Sequence, residues 1–368
     1  MRYQTAALLV GIAYANPVPQ GFDWDAIDAI EPIRFAETEI PVVNAAAAQT
    51  TLPAPAATAA AASVSAAVYA SPSDTSLKVR GTLAMDNGCA ANANDTPESF
   101  SSNDYYQESA ETSQKPSGYT LAYQNQNGSS QGVLGYMGYS ILDQYNQLEC
   151  ASRCDTTKGC QSFNIYFERD PSVDPTDSCP NPPSKVVIKC VYYGGPVTAA
   201  SATNDGQWSK DFHVVIAGSN GFVNNSITTP AGYSNPTFLD RAAINAPKDC
   251  NGQDTYMTVK TFTGVFDVAN CANACSAQNE YNRNHPRQSD GYFQTCQFFN
   301  TYVLYNDSTA VGQYCALYNE TWPSTFATNN GQWRGSNWFN INYSYTFSNT
   351  TGGLDTPAGC NNPTASSR

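Results

Sequence analysis

The chain repeats itself, and that repetition limits its possible folds more than any other feature. Residues 150–163 read CASRCDTTKGCQSF and residues 271–275 read CANAC, so each copy holds a C-x-x-x-C pair, Cys150/Cys154 and Cys271/Cys275. Cysteines four apart stand on one face of a helix, one turn from each other, and both reach the same sheet. CQSFNIY from Cys160 and CQFFNTY from Cys296 then agree at Cys, Gln, Phe, Asn and Tyr, with the alternation expected of a core strand. A third block places Trp208 and Trp333 each 18 residues after a cysteine (Cys190, Cys315), inside a shared A-T-N-[DN]-G-Q-W, with Tyr193 and Tyr318 in register. Three blocks in one order define two copies of one module.

The copies differ where surface loops tolerate change. Cys154 to Cys160 is six residues, whereas Cys275 to Cys296 is 21. The longer segment, SAQNEYNRNHPRQSDGYFQT, reads as a polar loop carrying Arg283, His285 and Arg287. In the first copy the surplus lies between Cys160 and Cys190, as the Pro/Asp-rich DPSVDPTDSCPNPP.

Composition narrows the setting. With Asp+Glu 31 against Lys+Arg 18, the net charge of −13 repels phosphate backbones and anionic lipid, which excludes nucleic acid as a partner. Residues 1–15, MRYQTAALLVGIAYA, have one early base, a short apolar run and small residues before Ala15, the pattern of a secretory signal peptide. No apolar run is long enough for a membrane span. Residues 16–75 begin with an acidic stretch, open to reading as a propeptide, and continue as an Ala/Pro-rich spacer expected to be disordered, with Pro53 and Pro55 interrupting any helix. Seven N-x-S/T sequons, at Asn94, Asn127, Asn224, Asn306, Asn319, Asn342 and Asn349, favour a glycoprotein if the chain is exported.

One helix bearing C-x-x-x-C, then C-x-x-F on a strand, then a further strand cysteine, resembles the PAN/apple module. The first copy, GYMGYS…FNIYFERDPS…IKCVYYGGPV…HVVIAGSNGF, is also similar to secreted apple-like proteins of filamentous fungi. The resemblance implies an α+β fold: two disulfide-stapled modules, residues 76–228 and 229–368, each a curled antiparallel sheet cradling one helix. It implies the bridges Cys150–Cys190, Cys154–Cys160, Cys271–Cys315 and Cys275–Cys296, and a terminal tie Cys250–Cys360. Cys89 and Cys179 remain and are paired on that ground alone. Bridges of this kind stabilise modules too small to bury much core.

Residues shared by both copies are expected to be structural: Phe163, Asn164, Tyr193 and Trp208 in the first, Phe299, Asn300, Tyr318 and Trp333 in the second. His213, five residues after Trp208, reads as an aromatic packing position matching Trp338. Aromatics the copies do not share are the binding candidates: Tyr281 and Tyr292 with Arg283 and Arg287 in the long loop, Trp322, and Trp338 with Tyr343 and Tyr345.

Catalysis finds little to work with. The two histidines form no triad and no zinc site, oxidised cysteines ligate no metal, and neither a cofactor nor a metal is expected. Glycoside hydrolysis needs only two carboxylates, and Glu168, Asp170 and Asp174 cluster, but beside a Pro-rich loop where a solvated surface explains them. The sequence therefore points to a non-catalytic, extracellular binding protein, with cell-wall association among its settings. It would recognise carbohydrate through its modules; the alternatives are a protein-interaction or adhesion module, and, more weakly, a glycoside hydrolase.

Overall fold

The computed structural model describes residues 21–31, 89, 94–249, 252–289 and 291–351. In chain order its helices are α1 (Trp24–Asp28), α2 (Pro97–Ser101), α3 (Asp104–Thr112), α4 (Gln147–Thr156) and α5 (Val268–Asn284). The strands of the first half are β1 (Tyr119–Gln126), β2 (Tyr136–Leu142), β3 (Ser162–Pro171), β4 (Ser184–Tyr193), β5 (Gly206–Ser209) and β6 (Phe212–Asn224). Those of the second are β7 (Thr237–Asp240), β8 (Ala243–Ile244), β9 (Tyr256–Phe262), β10 (Phe298–Asn306), β11 (Thr309–Tyr318), β12 (Ala327–Asn329), β13 (Gly331–Arg334) and β14 (Asn337–Ser348).

Every strand pairing is antiparallel, and the two main sheets share one topology. The first runs β1-β6-β3-β4-β2 with β5 hanging from β6; the second runs β7-β14-β10-β11-β9 with β13 hanging from β14. The repeat in the sequence is thus a repeat in space, and the fold is α+β.

Polar caps begin the two cysteine-bearing helices. The Asn146 side chain accepts from the Leu148 and Glu149 amides at the start of α4, and Asp267 accepts from Ala269 at the start of α5, satisfying donors the helix itself leaves open. Cys150, Ala151 and Cys154 on α4, and Cys271, Ala272 and Cys275 on α5, are the buried faces of these helices. From those faces Cys150 reaches Cys190 on β4 and Cys271 reaches Cys315 on β11, with Cα–Cα separations of 5.9 and 5.4 Å. Cys154–Cys160, Cys275–Cys296 and Cys89–Cys179 are also joined. Cys250–Cys360 lies outside the described residues, as do the signal segment and the Ala/Pro-rich stretch.

Both faces of each sheet are covered. Phe163, Ile165 and Phe167 of β3 pack with Cys190 and Tyr192 under α4 and against Phe100 and Tyr106 of α2 and α3. Tyr166, Val191 and Tyr193 fill the opposite face with Tyr123, Val133 and Ile216. Phe299, Val303, Leu317 and Phe347 repeat the first arrangement under α5.

The halves dock on one another through backbone. The Phe266 amide donates to the Gly194 carbonyl at 2.8 Å and the Ala310 amide to Gly132 at 2.8 Å. A Cβ on Gly194 would meet Val265 Cγ1 at 2.5 Å and its Cα at 2.8 Å, so only glycine admits this approach. Tyr343, from the second half, donates to Gln161 Oε1 and the Asn224 carbonyl of the first.

Two expectations are corrected at this level. The acidic stretch, open to reading as a propeptide and set apart from any domain by its composition, is seated in one: α1 is capped by Asp23 and places Phe22 and Ile27 in the core of the second half. Amphipathicity, too short here to register as a periodic pattern, is what allows it. The polar insertion after Cys275 is not all loop, because α5 continues into it as far as Asn284 and puts Tyr281 and Arg283 on a helix.

Candidate functional site

Each half ends its A-T-N-x-G-Q-W block in a hairpin that leaves the sheet. Gly206 and Gly331 open these hairpins at φ +115° and +141°, a backbone conformation that L side chains avoid, with the facing carbonyls of Val214 and Phe339 packed where a Cβ would stand. Beyond them β5 and β13 have four residues each and a single neighbouring strand. Trp208 and Trp333 stand on the uncovered face of each ribbon, 64% and 67% exposed, while α1 lies on the opposite face of the second ribbon against Gln332 and Arg334. The expectation that both are core is therefore overturned: the shared tryptophan serves the module at its surface.

Each tryptophan is backed by a ring directly across the hairpin. Trp208 pairs with His213, the rings stacked at 4.2 Å and within 4° of parallel. Trp333 pairs with half-buried Trp338, centroids 5.2 Å apart and planes at 44°. The repeat thus carries two equivalent aromatic platforms, flat in one half and tilted in the other. Trp338 alone among the tryptophans expected to bind lies on such a platform.

The remaining binding candidates divide. Trp322 is 4% exposed, packs with Phe298, Ala316 and Tyr318, and donates its indole N–H to Thr255 Oγ1 at 2.9 Å; it is core, not platform. Tyr343 and Tyr345 are buried too, against each other and Phe266, and Tyr343 belongs to the contact between halves. Burial raises both phenols, Tyr345 to about 12. Tyr281 is exposed, stacked on His285 at 4.3 Å, and Arg283 is exposed nearby. Arg287 lies over the Tyr292 ring at 5.0 Å and takes the Tyr292 carbonyl on its amide, closing a separate loop.

Beside Tyr281 runs an open groove of about 570 Å³ between α5 and the edge strand β9, lined by Lys260, Phe262, Asn270, Asn273, Gln278 and Tyr281. Asn270, Asn273, Ala274, Ala277, Gln278 and Tyr281 recur at helical spacing, so one stripe of α5 forms its wall. That stripe was visible in the sequence and was concealed by reading the segment as loop. The groove's exposed lining is mainly apolar, with the Lys260 ammonium and the carboxamides of Asn270, Asn273 and Gln278 set into it.

The shared Phe163, Asn164, Tyr193, Phe299, Asn300 and Tyr318 are all buried. The carboxylates expected on a solvated surface are not there: Glu168 and Asp170 are 5% and 3% exposed on β3, while Asp174 alone is exposed. Their side chains share a face with Tyr166 because strand residues two apart do. Glu168 is ion-paired with Lys189. Asp170 Oδ1 has no hydrogen-bond partner, and burial followed by the Glu168 charge raises its carboxyl well above the usual range. Burial opposes the charge on Lys189, but Glu168 and Asp170 outweigh it and raise its pKa. A glycosidase pair must flank a sugar and admit water; these carboxyls are enclosed within the sheet's packing.

Among the described residues no group of three or more His, Cys, Asp or Glu is placed to hold a metal, and no helix is long and apolar enough to cross a membrane. None of the seven sequon asparagines is buried. The chain matches no protein-family model, no curated protein and no solved structure.

Proposed function

We propose that the chain is a secreted, non-catalytic binding protein whose two PAN/apple-like modules recognise extracellular or cell-wall carbohydrate. One observation carries the reading: the same repeat position in both halves exposes a tryptophan backed by a second ring across a hairpin. A pyranose ring presents an apolar C–H face that lies on an indole. The paired ring limits the indole's freedom, so less entropy is lost on binding. Two platforms in one rigidly docked molecule favour a polymer with repeated units, since engaging the second becomes intramolecular. Five described bridges suit an oxidising compartment.

The test is retention on insoluble chitin, glucan and cellulose. Wild type is retained by one of them, Trp208→Ala or Trp333→Ala weakens retention, and the double variant loses it. Failure of the wild type to bind any polymer or glycan array removes the proposal. The groove between α5 and β9 supports a competing reading, a module that docks a peptide; in that case Tyr281→Ala, not the hairpin variants, would remove partner capture.

A further inference from the structure

Helix α1 has five residues, too few to hold itself together in water, so its fold depends on what it touches. It touches the outer face of the second sheet. Phe22 and Ile27 are buried among Tyr302, Leu304, Tyr314, Phe339 and Ile341, and Trp24 meets Phe339 edge-on at 5.1 Å. Polar contacts fix the register: the Phe22 amide donates to Gln332 Oε1 at 3.1 Å, and Asp28 forms a two-pronged ion pair with Arg334, whose guanidinium also lies 5.0 Å over Trp24. Arg334 holds the Asp28 carboxyl below its usual range by this hydrogen-bonded pair.

The repeat explains why this segment chooses the second half. In register, Leu304 corresponds to Glu168 and Tyr314 to Lys189. The first sheet therefore offers a buried Glu168–Lys189 ion pair where the second offers an apolar seat for Phe22 and Ile27. Selection lies in the face, not in the tether. The 58 positions from Glu31 to Cys89 can span up to about 190 Å at full extension. That length reaches the seat of a neighbouring molecule as readily as the chain's own.

We propose that residues 22–31 are an exchangeable docking arm. The outer face of the second sheet accepts this arm from a second copy of the chain as well as from its own, so that copies associate by exchanging arms. The seat's dimensions, its apolar floor and its arginine are matched to that segment, and another copy carries the same segment. Within one chain the tether gives the arm a high effective concentration, so exchange grows with protein concentration.

The test uses the full chain carrying Phe22→Ala and Ile27→Ala, which empties the seat without touching the sheets, and a labelled peptide of residues 20–31. The emptied chain binds the peptide saturably, the wild type at least tenfold more weakly because its own arm competes, and Arg334→Glu in the emptied chain weakens binding at least tenfold. Two differently tagged wild-type pools, mixed and concentrated, co-purify, and co-purification disappears when both carry the emptied seat. An emptied chain that circular dichroism shows folded but that ignores the peptide overturns the docking site. Wild-type pools that never co-purify, or do so regardless of the arm, overturn exchange. Should the double variant not fold, peptide-dependent loss of co-purification between wild-type pools decides the same question.

Discussion

Asn300 and Tyr318 together hold both polar backbone groups of a single residue. The Asn300 carboxamide oxygen accepts the Ile244 amide at 2.9 Å, and the Tyr318 hydroxyl donates to the Ile244 carbonyl at 3.2 Å. In the first half Asn164 and Tyr193 do the same to Ser130, at 2.9 and 2.7 Å. The carboxamide nitrogens also reach the neighbouring strand, Asn300 to the Tyr345 carbonyl and Asn164 to the Asn220 carbonyl. Each module thus pins one passing segment to its central strands with two side chains that match in register.

Removing either asparagine strands these groups in the core. Asn300→Ala and Asn164→Ala each lower stability by about 2–4 kcal/mol, since an unsatisfied buried polar group costs about 1–3 kcal/mol and more than one is left. Urea unfolding of the two variants measures it. A loss below about 0.5 kcal/mol in both would show that the clamp is incidental.

The tryptophans separate surface from core. Trp208→Ala and Trp333→Ala leave stability within about 1 kcal/mol of wild type, because neither ring fills a packed layer. Trp322→Ala costs about 3–5 kcal/mol through the cavity it leaves and the unpaired Thr255 hydroxyl. Thermal melts order the three variants, and the polymer assay then attributes any lost retention to the platform alone.

Asp170 makes stability fall with pH. Its carboxyl titrates higher in the folded chain than in the unfolded one, so between those two values the folded state holds more protons. The contribution is fully present below about pH 4 and is lost as pH rises through the folded value. Lys189, also raised, keeps its contribution throughout that window and loses it only in alkali. The neutral isostere Asp170→Asn, the residue type that stands in register as Asn306, raises stability at pH 7 and has little effect at pH 3.5. Chemical denaturation at the two pH values checks the sign, and equal effects at both would refute it.

The bridges differ in reach. Cys150–Cys190 closes a separation of 40 residues and Cys154–Cys160 only 6. Chain entropy assigns about 4 kcal/mol to the first and about 2 kcal/mol to the second. Paired Cys→Ser replacements, compared by urea midpoint, reveal whether the helix-to-strand staple dominates as this ratio requires.

Much of the architecture was legible because covalent and periodic signals are local. A C-x-x-x-C on a helix, a strand alternating around Phe-Asn, and a cysteine-to-tryptophan spacing each survive in one dimension, and comparing the two copies brought them into register. The site was less legible because sharing between copies was read as burial. Trp208 and Trp333 recur because the hairpin recurs, and nothing in A-T-N-x-G-Q-W tells whether a second layer will lie over it. Trp322 and Tyr345 misled in the opposite sense: unshared aromatics became core because module-specific segments, led by Thr255 and Phe238, cover them.

The amino-acid order by itself determined two modules, their cysteine-bearing helices and their central strands. Tertiary structure alone decided which rings face solvent, where Glu168 and Asp170 are enclosed, and that Phe22 and Ile27 cross the chain to the second sheet. The reason is physical: burial depends on what lies opposite a side chain, and the residues opposite are far away in sequence.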